Sequence, residues 1–306
     1  MSRAPNDRPA SLPKRRASGD VLFAWAAVSP SLFLIAVLFA GPLAALALLS
    51  LTDWQLGNPT FRIVGFDNFL SLAGDPIFVK SAANTVTYVL IVVPATVAIG
   101  LAVAILIESS SHLRSFYRAV HFLPVMAATS AMAMVWGTIL HPTIGLANRL
   151  LTAFGISGIN WLRDENTALL SLAIIGIWQS VGFSMVLFIA GLKSIPQQLY
   201  DAAAVDGADS TIERLRTVTL PMLGPVVMFV VIVTGARAFA VFDTVRVLTM
   251  GAPNYSTDVI LNRIYTESFD HLRTGYGAAL TTIYLCIIVA LTLIQSKVME
   301  RKVHYS

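Results

Sequence analysis

Long apolar windows separated by short polar segments run along the chain from about residue 22 to its end. Six of these windows are long enough to cross a bilayer, because about 20 apolar residues at about 1.5 Å each span the hydrocarbon core. The pattern therefore predicts an all-α membrane protein with six transmembrane helices. The predicted spans are residues 22–51, 83–107, 117–141, 167–191, 222–245 and 277–296.

Composition agrees with this pattern. The chain is 56% apolar and 12% charged, whereas a soluble domain is about half apolar and about a quarter charged.

The N-terminal 20 residues are rich in Pro, Arg and Ser and predict a disordered segment. The apolar window after PKRR, at about 30 residues, is too long for a signal peptide and is predicted to be a retained span. We predict a disordered N-terminus (1–20), a transmembrane domain (21–300) and a tail (301–306).

Lysine and arginine are distributed unevenly between the two sides of the predicted membrane. The N-terminus, the 108–118 and 192–221 segments and the C-terminus hold 13 of them, and the segments on the other side hold seven. Because positively charged loops stay in the cytoplasm, both termini are predicted to be cytoplasmic. This topology predicts a multi-pass protein of the cell inner (plasma) membrane. It also accounts for the net charge of +4 without a nucleic-acid partner.

One predicted cytoplasmic segment, SIPQQLYDAAAVDGADSTIERLRTVTLP (194–221), has the pattern of two short helices. Ser194 and Gln197 have the spacing of a capping box, and Pro196 falls in the first turn. Gly207 stands where a left-handed C-terminal cap is expected. We refer to 194–221 as the insert.

The second helix of the insert is predicted to begin at a further capping box, Ser210 with Glu213, and to be limited by Pro221. Asp206 is predicted in the last turn of the first helix, where a carboxylate meets the negative end of the helix dipole. Two interpretations stay open on these features alone. The insert is either an ordinary solvated helical hairpin or a docking element for another subunit.

Here the sequence resembles a known family. DAAAVDGADSTIERLRTVTLP is similar to the coupling motif of binding-protein-dependent ABC importer permeases: Glu-Ala-Ala, three residues, Gly, a spacer, and a hydrophobic residue, any residue, Leu-Pro. The resemblance implies that Asp201, Ala202, Ala203, Asp206 and Gly207 contact an ATP-hydrolysing subunit. Segments including RSFYRAVHFLPV and FAVFDTVRVLTMGAP extend it over about residues 22–303, closest to the first permease type of the carbohydrate-uptake branch (maltose and glycerol 3-phosphate type).

The insert departs from the family motif at two points. Asp201 stands where the family usually has Glu, so the charge is the same but the side chain is shorter. The spacer from Gly207 to Val218 is one residue longer than usual, and one extra residue turns an α-helix by about 100°.

The sequence offers no means of binding ATP or a metal. It contains no G-x-x-x-x-G-K-[ST] motif, the lone Cys286 lies in an apolar window, and the five histidines lack ligand spacing. We therefore expect no catalytic residue, no metal and no cofactor in this chain. Under the resemblance, a partner ATPase binds ATP and magnesium, and the chain is a transport subunit rather than an enzyme.

Polar and aromatic residues inside the spans are candidates for the path of the solute. The fourth span contains Trp178, Gln179 and Phe183, which suit a sugar because rings pack against its apolar faces and an amide binds its hydroxyls. Packing between helices, with Gln179 bridging two of them, is the equally weighted alternative.

The fifth span contributes further candidates: Arg237, Phe239, Phe242 and Asp243. A charge near the bilayer centre costs at least about 2.5 kcal/mol, so Arg237 is expected to face the interior of the assembly. Three interpretations stay open: an ion pair with a carboxylate of this or the partner permease, attraction of an anionic solute, and extension toward the interface.

The resemblance implies an importer of a sugar or sugar-like solute. Its partners would be a second ABC permease, an ATPase dimer, an extracytoplasmic solute-binding protein and the lipid bilayer. The alternatives are the same machinery for an anionic solute, such as glycerol 3-phosphate or an acidic or sulfonated sugar, or an ion-coupled secondary transporter. A membrane enzyme is disfavoured because no catalytic motif is found.

Overall fold

The computed structural model describes residues 18–109, 113–208 and 210–302. Over these residues the chain is helical, with an isolated antiparallel bridge between Thr52 and Ile63, and the predicted all-α class is confirmed. The α-helices are Ser18–Ile35, Gly41–Leu49, Asp67–Ala73, Pro76–Ser109, Arg114–Met126, Thr129–Ile139, Leu146–Ala153, Ala168–Ser194, Gln197–Val205, Thr211–Arg214, Leu220–Met222, Gly224–Phe239, Asp243–Leu248, Ile260–Tyr265 and Thr274–Lys302, and the π-helical turns are Ala36–Ala40, Leu215–Thr219 and Thr266–Asp270.

Among the described residues, five helical segments are long and apolar enough to cross a membrane, and one bent helix pair brings the number to six. We number them in chain order as spans 1 to 6. Span 3 is the bent pair. The six spans are Leu22–Leu49, Pro76–Ser109, Arg114–Met126 with Thr129–Ile139, Ala168–Ser194, Gly224–Leu248 and Thr274–Gln295.

Span 3 differs from the prediction of one straight helix over 117–141. Its two helices meet at 101°. Ala127 and Ala128 between them have extended backbone angles, and Pro124 lies in the last turn of the first helix. Proline lacks an N–H and disrupts the helical hydrogen bonds around it, whereas hydropathy reports composition only, which is why the window appeared continuous.

The chain divides into two units, one up to Leu48 and one from Leu49 onward. In the first, the helix continues past Pro30, and a π-helical turn follows in which the Gly41 N–H donates to the Ala36 carbonyl. The predicted disordered segment falls mostly outside the described residues, as residues 1–17 do, and the described helix begins at Ser18.

Span 4 lies at the centre of the second unit and packs against span 2, the first helix of span 3 and span 5. Glycine permits the closest approaches. A Cβ added at Gly182 would lie 2.0 Å from the carbonyl oxygen of His121, and one at Gly176 would lie 2.1 Å from the hydroxyl of Tyr88. Small residues at these crossings let the helices approach closely, as is usual between membrane helices.

The spans of the second unit define two ends. The insert end holds residues 195–223, between spans 4 and 5. The far end holds the segments 249–273, 50–75 and 140–167. The Leu56 N–H donates to the Leu272 carbonyl and joins the first two. The third belongs there because it leads into the start of span 4, whose other end leads into the insert.

Candidate functional site

The first helix of the insert is Gln197–Val205, and Pro196 is its N-cap residue. The predicted capping box at Ser194 is wrong. Ser194 is the last residue of span 4, and its hydroxyl donates to the Gly191 carbonyl at 2.8 Å. Because span 4 continues to this serine, its side chain bonds back to its own helix and does not cap the next one.

The turn after this helix is a Schellman motif. Gly207 has φ +91°, its N–H donates to the Ala204 carbonyl at 3.2 Å, and the Ala208 N–H donates to the Ala203 carbonyl at 2.9 Å. The predicted left-handed glycine cap is therefore present. Asp206 is the exposed C-cap residue, one position beyond the last helical turn in which the sequence placed it.

The second helix begins as predicted. The Glu213 N–H donates to the Ser210 hydroxyl at 3.1 Å, and the Ser210 N–H donates to the Glu213 carboxylate at 2.9 Å, which completes a capping box. The prediction that Pro221 limits this helix is wrong, because helical backbone runs through Pro221 to Met222 and resumes at Gly224.

A π-helical turn over Leu215–Thr219 precedes Pro221, with the Leu220 N–H donating to the Leu215 carbonyl. A π-helical turn closes over one residue more than an α-helical turn. The extra residue of the Gly207 to Val218 spacer is thus taken up in this turn, and Val218 and Thr219 are buried against the rest of the insert.

Side chains hold the two insert helices together. The hydroxyls of Tyr200 and Thr219 lie 3.1 Å apart, and the Arg214 Nε donates to the Ala208 carbonyl at 3.0 Å. An apolar cluster of Ile195, Val218 and Leu223 lies beneath them, with Tyr200 and Ala203 packed against it. The insert is therefore a packed unit joined directly to spans 4 and 5.

Four of the five predicted coupling residues lie on the exposed face of the insert: Asp201, Ala202, Asp206 and Gly207. Ala203 does not, because it packs inward on the apolar cluster. The exposed face also presents Val205 and Ile212, whose exposed fractions are 88% and 63%. Sequence reasoning missed these two, although an apolar residue beside a polar turn was the available sign.

A cavity of about 250 Å³ lies where two helices are interrupted. One interruption is the bend of span 3 at 127–128, and the other lies between Phe239 and Asp243 in span 5. Four of the predicted path residues line the cavity: Gln179, Arg237, Phe242 and Asp243. Tyr88 and Thr129 line it as well and were not predicted, since hydropathy does not show which face of a span is inward.

The remaining path residues lie beside the cavity. Phe183 lies under Arg237, whose Cζ is 4.1 Å from the centre of its ring. Trp178 packs edge to face on Trp136 at 5.4 Å, and Phe239 is half-buried, so neither lines the cavity. The ring of Trp178 therefore joins span 4 to the second helix of span 3.

Polar contacts orient two of the cavity-lining groups. The Gln179 amide donates to the Thr129 hydroxyl at 3.1 Å, so it bridges two helices and lines the cavity at once. The ion pairs found among residues 18–109, 113–208 and 210–302 do not involve Arg237. Pairing with a carboxylate of a partner permease stays a prediction.

The far end contains a buried ionic network that the sequence reading missed. Glu267 is fully buried and pairs with Arg263 at 2.7 Å, with Arg273, and with His271 at 3.2 Å. Arg263 is itself buried and lies 3.6 Å from Asp75, at the start of span 2. The pairs of Glu267 hold the 249–273 segment together, and the pair of Arg263 with Asp75 joins it to the residue before span 2.

Two carboxylates of this end have shifted pKa values. Burial raises the pKa of Asp258 and outweighs the hydrogen bonds that it accepts from Asn262 at 2.6 Å and Ser81 at 2.8 Å. For Asp75, partial burial is outweighed by hydrogen bonds, including that from the Tyr276 hydroxyl at 2.7 Å, so its pKa lies below the ordinary value.

The structure suggests no site for a resident metal ion in the part of the chain that it describes, where no three His, Cys, Asp or Glu side chains are grouped to hold one. The charged groups around Glu267 are engaged with one another, so their arrangement is that of a structural network.

Comparison with known proteins places the chain in a family. The profile for "Binding-protein-dependent transport system inner membrane component" matches residues 72–305. The sulfoquinovosyl glycerol transport system permease protein SmoG of Agrobacterium fabrum is 30% identical over 93% of this chain and 92% of its own. The sn-glycerol-3-phosphate transport system permease protein UgpA of the same organism is 30% identical, covering 91% and 94%.

A solved structure shares the fold. The crystal structure of a bacterial alginate ABC transporter, in complex with an alginate pentasaccharide-bound periplasmic protein, contains a chain that superposes with a TM-score of 0.82 at 21% identity, covering 94% of this chain and 98% of that one. With a family profile over most of the chain and relatives of nearly equal length, this multi-pass membrane protein belongs to the binding-protein-dependent transport system inner membrane components, the permeases of ABC importers.

Proposed function

We propose that this chain is one of two permease subunits in an ATP-driven importer, and that it translocates a sugar or sugar-like solute delivered by an extracytoplasmic binding protein. Two copies of a cytosolic ATPase subunit would bind ATP and magnesium. Both termini and the insert would face the cytoplasm, and the far end would face the binding protein. Family membership gives no support to the ion-coupled alternative.

The exposed face of the packed insert carries this proposal. Ala202 and Val205 on the first helix and Ile212 on the second are exposed beside the carboxylates of Asp201 and Asp206. Apolar residues next to charged ones on a rigid surface are typical of a protein interface. Asp201 is already positioned by the Gln197 amide at 3.2 Å, so an ionic contact to the ATPase needs little further ordering.

Motion of the insert would reach the cavity through short connections. Only two residues separate the end of span 4 from the first insert helix. The second insert helix continues through the π-helical turn toward span 5. Spans 4 and 5 carry Gln179 and Arg237, which line the cavity. When ATP closes the ATPase pair, movement of the insert would shift these spans and open the cavity toward the binding protein.

The solute class follows from the cavity and the relatives. Phe242 offers an apolar ring, and Gln179 offers an amide, a combination that suits a sugar. SmoG and UgpA are named for the transport of sulfoquinovosyl glycerol and sn-glycerol 3-phosphate, both of which are anionic. Arg237 favours an anionic solute as the second candidate, because its guanidinium lines the cavity and stacks on Phe183.

Affinity purification of the full chain from its native membrane tests the docking of the ATPase. Wild type should retain a P-loop ATPase and a second six-span protein. Ala202→Arg should lose the ATPase and keep the second permease, because a long cation obstructs the exposed face while arginine preserves the helix. Ala202→Ser, which keeps a small side chain at the same exposed position, is the matched control. Wild type purifying as a homo-oligomer without an ATPase would contradict the proposal.

Reconstitution of the purified assembly with its binding protein tests the solute class. The probes are maltose, an alginate oligosaccharide, sulfoquinovosyl glycerol and sn-glycerol 3-phosphate. We expect ATP-dependent uptake of at least one cyclic probe. Uptake of an anionic probe that is lost in Arg237→Gln, while maltose uptake persists, would establish the second candidate.

A further inference from the structure

A row of three aromatic rings leads away from the cavity toward the far end. Phe242 lines the cavity, and its ring centre lies 5.4 Å from that of Tyr265. Tyr265 in turn lies 5.1 Å from Phe269, whose exposed fraction is 59%. The rings are tilted by about 40° to one another, 41° in the first pair and 39° in the second. We call these three residues the aromatic row.

An ion pair supports the middle of the row. The Arg246 guanidinium lies 4.3 Å from the centre of the Tyr265 ring. Both of its terminal nitrogens donate to Asp270, at 2.8 and 2.9 Å. This two-bond geometry fixes the guanidinium plane, so the Tyr265 ring is held from one side. The row is therefore ordered before any solute arrives.

The spacing of the residues explains why the row forms. Tyr265 and Phe269 are four residues apart on the helical segment between spans 5 and 6, and Phe242 and Arg246 are four apart at the end of span 5. Residues four apart lie on one face of a helix. Two helical segments therefore interleave their side chains, and one end of the row is at the cavity while the other is exposed.

We propose that the aromatic row is a subsite for ring-shaped sugars on their way into the cavity. The C–H faces of a pyranose are apolar and pack on aromatic faces, whereas an acyclic polyol has no such face to offer. Because Asp270 compensates the charge of Arg246, the row would select for ring shape rather than for charge. This inference rests on the proposed function and narrows it to cyclic solutes.

Continuity with the cavity favours a solute over a protein as the occupant. A protein docked on Phe269 would cover the exposed end alone, whereas Phe242 at the other end of the row lines the cavity. The aromatic row is not a complete binding site. It supplies aromatic rings and a fixed ion pair, which suits a transient contact with a solute on its way into the cavity.

The test uses the reconstituted transporter with the same four probes. Phe269→Leu removes the exposed ring, whereas Phe269→Tyr keeps a ring in its place. Phe33→Leu, at a residue of span 1 that is 66% exposed and belongs neither to the row nor to a far-end segment, is the matched control. We expect Phe269→Leu to lower the uptake rate of cyclic probes about two- to tenfold, the range that one ring contact supports, and the other two variants to retain it.

The ratio of solute carried to ATP hydrolysed distinguishes this role from a structural one. Loss of a subsite should lower that ratio, while the amount of assembled transporter and its ATP hydrolysis stay at the wild-type level. Unchanged uptake of cyclic probes in Phe269→Leu would overturn the subsite but leave the proposed function intact. Uptake of sn-glycerol 3-phosphate alone would also overturn it. Uptake of none of the four probes would refute the proposed solute class and the subsite together.

Discussion

The insert end holds its shape with local hydrogen bonds and caps, whereas the far end holds its shape with buried charges. At the insert end, Gly207 and Ser210 place a Schellman turn and a capping box within a few residues of each other. At the far end, buried Glu267 pairs with Arg263 four residues before it, and buried Arg263 also pairs with Asp75, which is distant in sequence and precedes span 2.

This difference fits what each end would have to do. A coupling element needs an exposed face and a shape that survives without support from one side, and local caps provide that. The far end has to keep the 249–273 segment, and with it the aromatic row, fixed while the spans move. Buried ion pairs are costly to break, because removing one partner leaves the other charge buried and unpaired.

The largest effect is expected at the buried network. Glu267→Gln should lower the free energy of unfolding by about 3 to 5 kcal/mol, because Arg263 then stays buried without its nearest carboxylate. Thermal unfolding of the purified chain in detergent measures it. Glu165→Gln, at an exposed acidic residue, should match wild type. An unchanged unfolding midpoint for Glu267→Gln would show that the network does not hold the far end.

The next effect is expected at the Schellman turn. Gly207→Ala should cost about 1 to 2 kcal/mol, because a side chain is disfavoured at φ +91° although space is open around it. Gly224→Ala is the control, since that glycine has no positive φ and no neighbour within 4 Å of an added Cβ. Amide hydrogen exchange at Gly207 and Ala208 should rise in the first variant only, and equal exchange in both would contradict the account.

Capping of the second insert helix should matter less. Ser210→Ala removes the box and should cost about 1 kcal/mol, seen as faster amide exchange over Thr211–Arg214. Ser194→Ala should leave exchange over Gln197–Val205 unchanged, because Ser194 does not cap that helix. Faster amide exchange over the first helix in Ser194→Ala would show that Ser194 does cap this helix and would contradict the structure.

The smallest effect is expected from pH. Because the pKa of Asp258 is raised in the folded chain, the folded state holds this proton more tightly, and the contribution of Asp258 to stability falls as the pH rises through its folded pKa. Asp75 has the opposite sign: its contribution is present above its ordinary pKa of 3.8 and is lost as the pH falls through its lowered folded pKa. The measurement is the unfolding midpoint from acidic to neutral pH. As the pH rises, the midpoint of Asp258→Asn should rise relative to that of wild type, and the midpoint of Asp75→Asn should fall relative to it. The reverse ordering would contradict both assignments.

Features encoded locally were the ones that the sequence predicted well. Span composition, the glycine cap at Gly207 and the box at Ser210 each depend on a few neighbouring residues. The box at Ser194 failed because its spacing was right but span 4 continued through it. The bend of span 3 was missed because an apolar window hides a break in the backbone.

Features that depend on contacts between distant segments were not predictable. Glu267 and Arg263 appeared as ordinary loop charges, since sequence does not show that the loop folds inward. The predicted residues of the solute path were correct only in part, for the same reason. Gln179 and Arg237 line the cavity, whereas Trp178 and Phe239 do not, because only the packing of the spans decides which face of a helix is inward.

Uptake and ATP hydrolysis measured in the same proteoliposomes test the central claim most directly, namely that the exposed insert couples an ATPase to the cavity. The comparison is Asp201→Lys, on the exposed face of the insert, with Asp201→Glu, which keeps the charge at the same position, as the control. The account predicts that Asp201→Lys loses both solute uptake and the ATP hydrolysis stimulated by loaded binding protein, while the control retains both. Wild-type uptake in Asp201→Lys would contradict the claim.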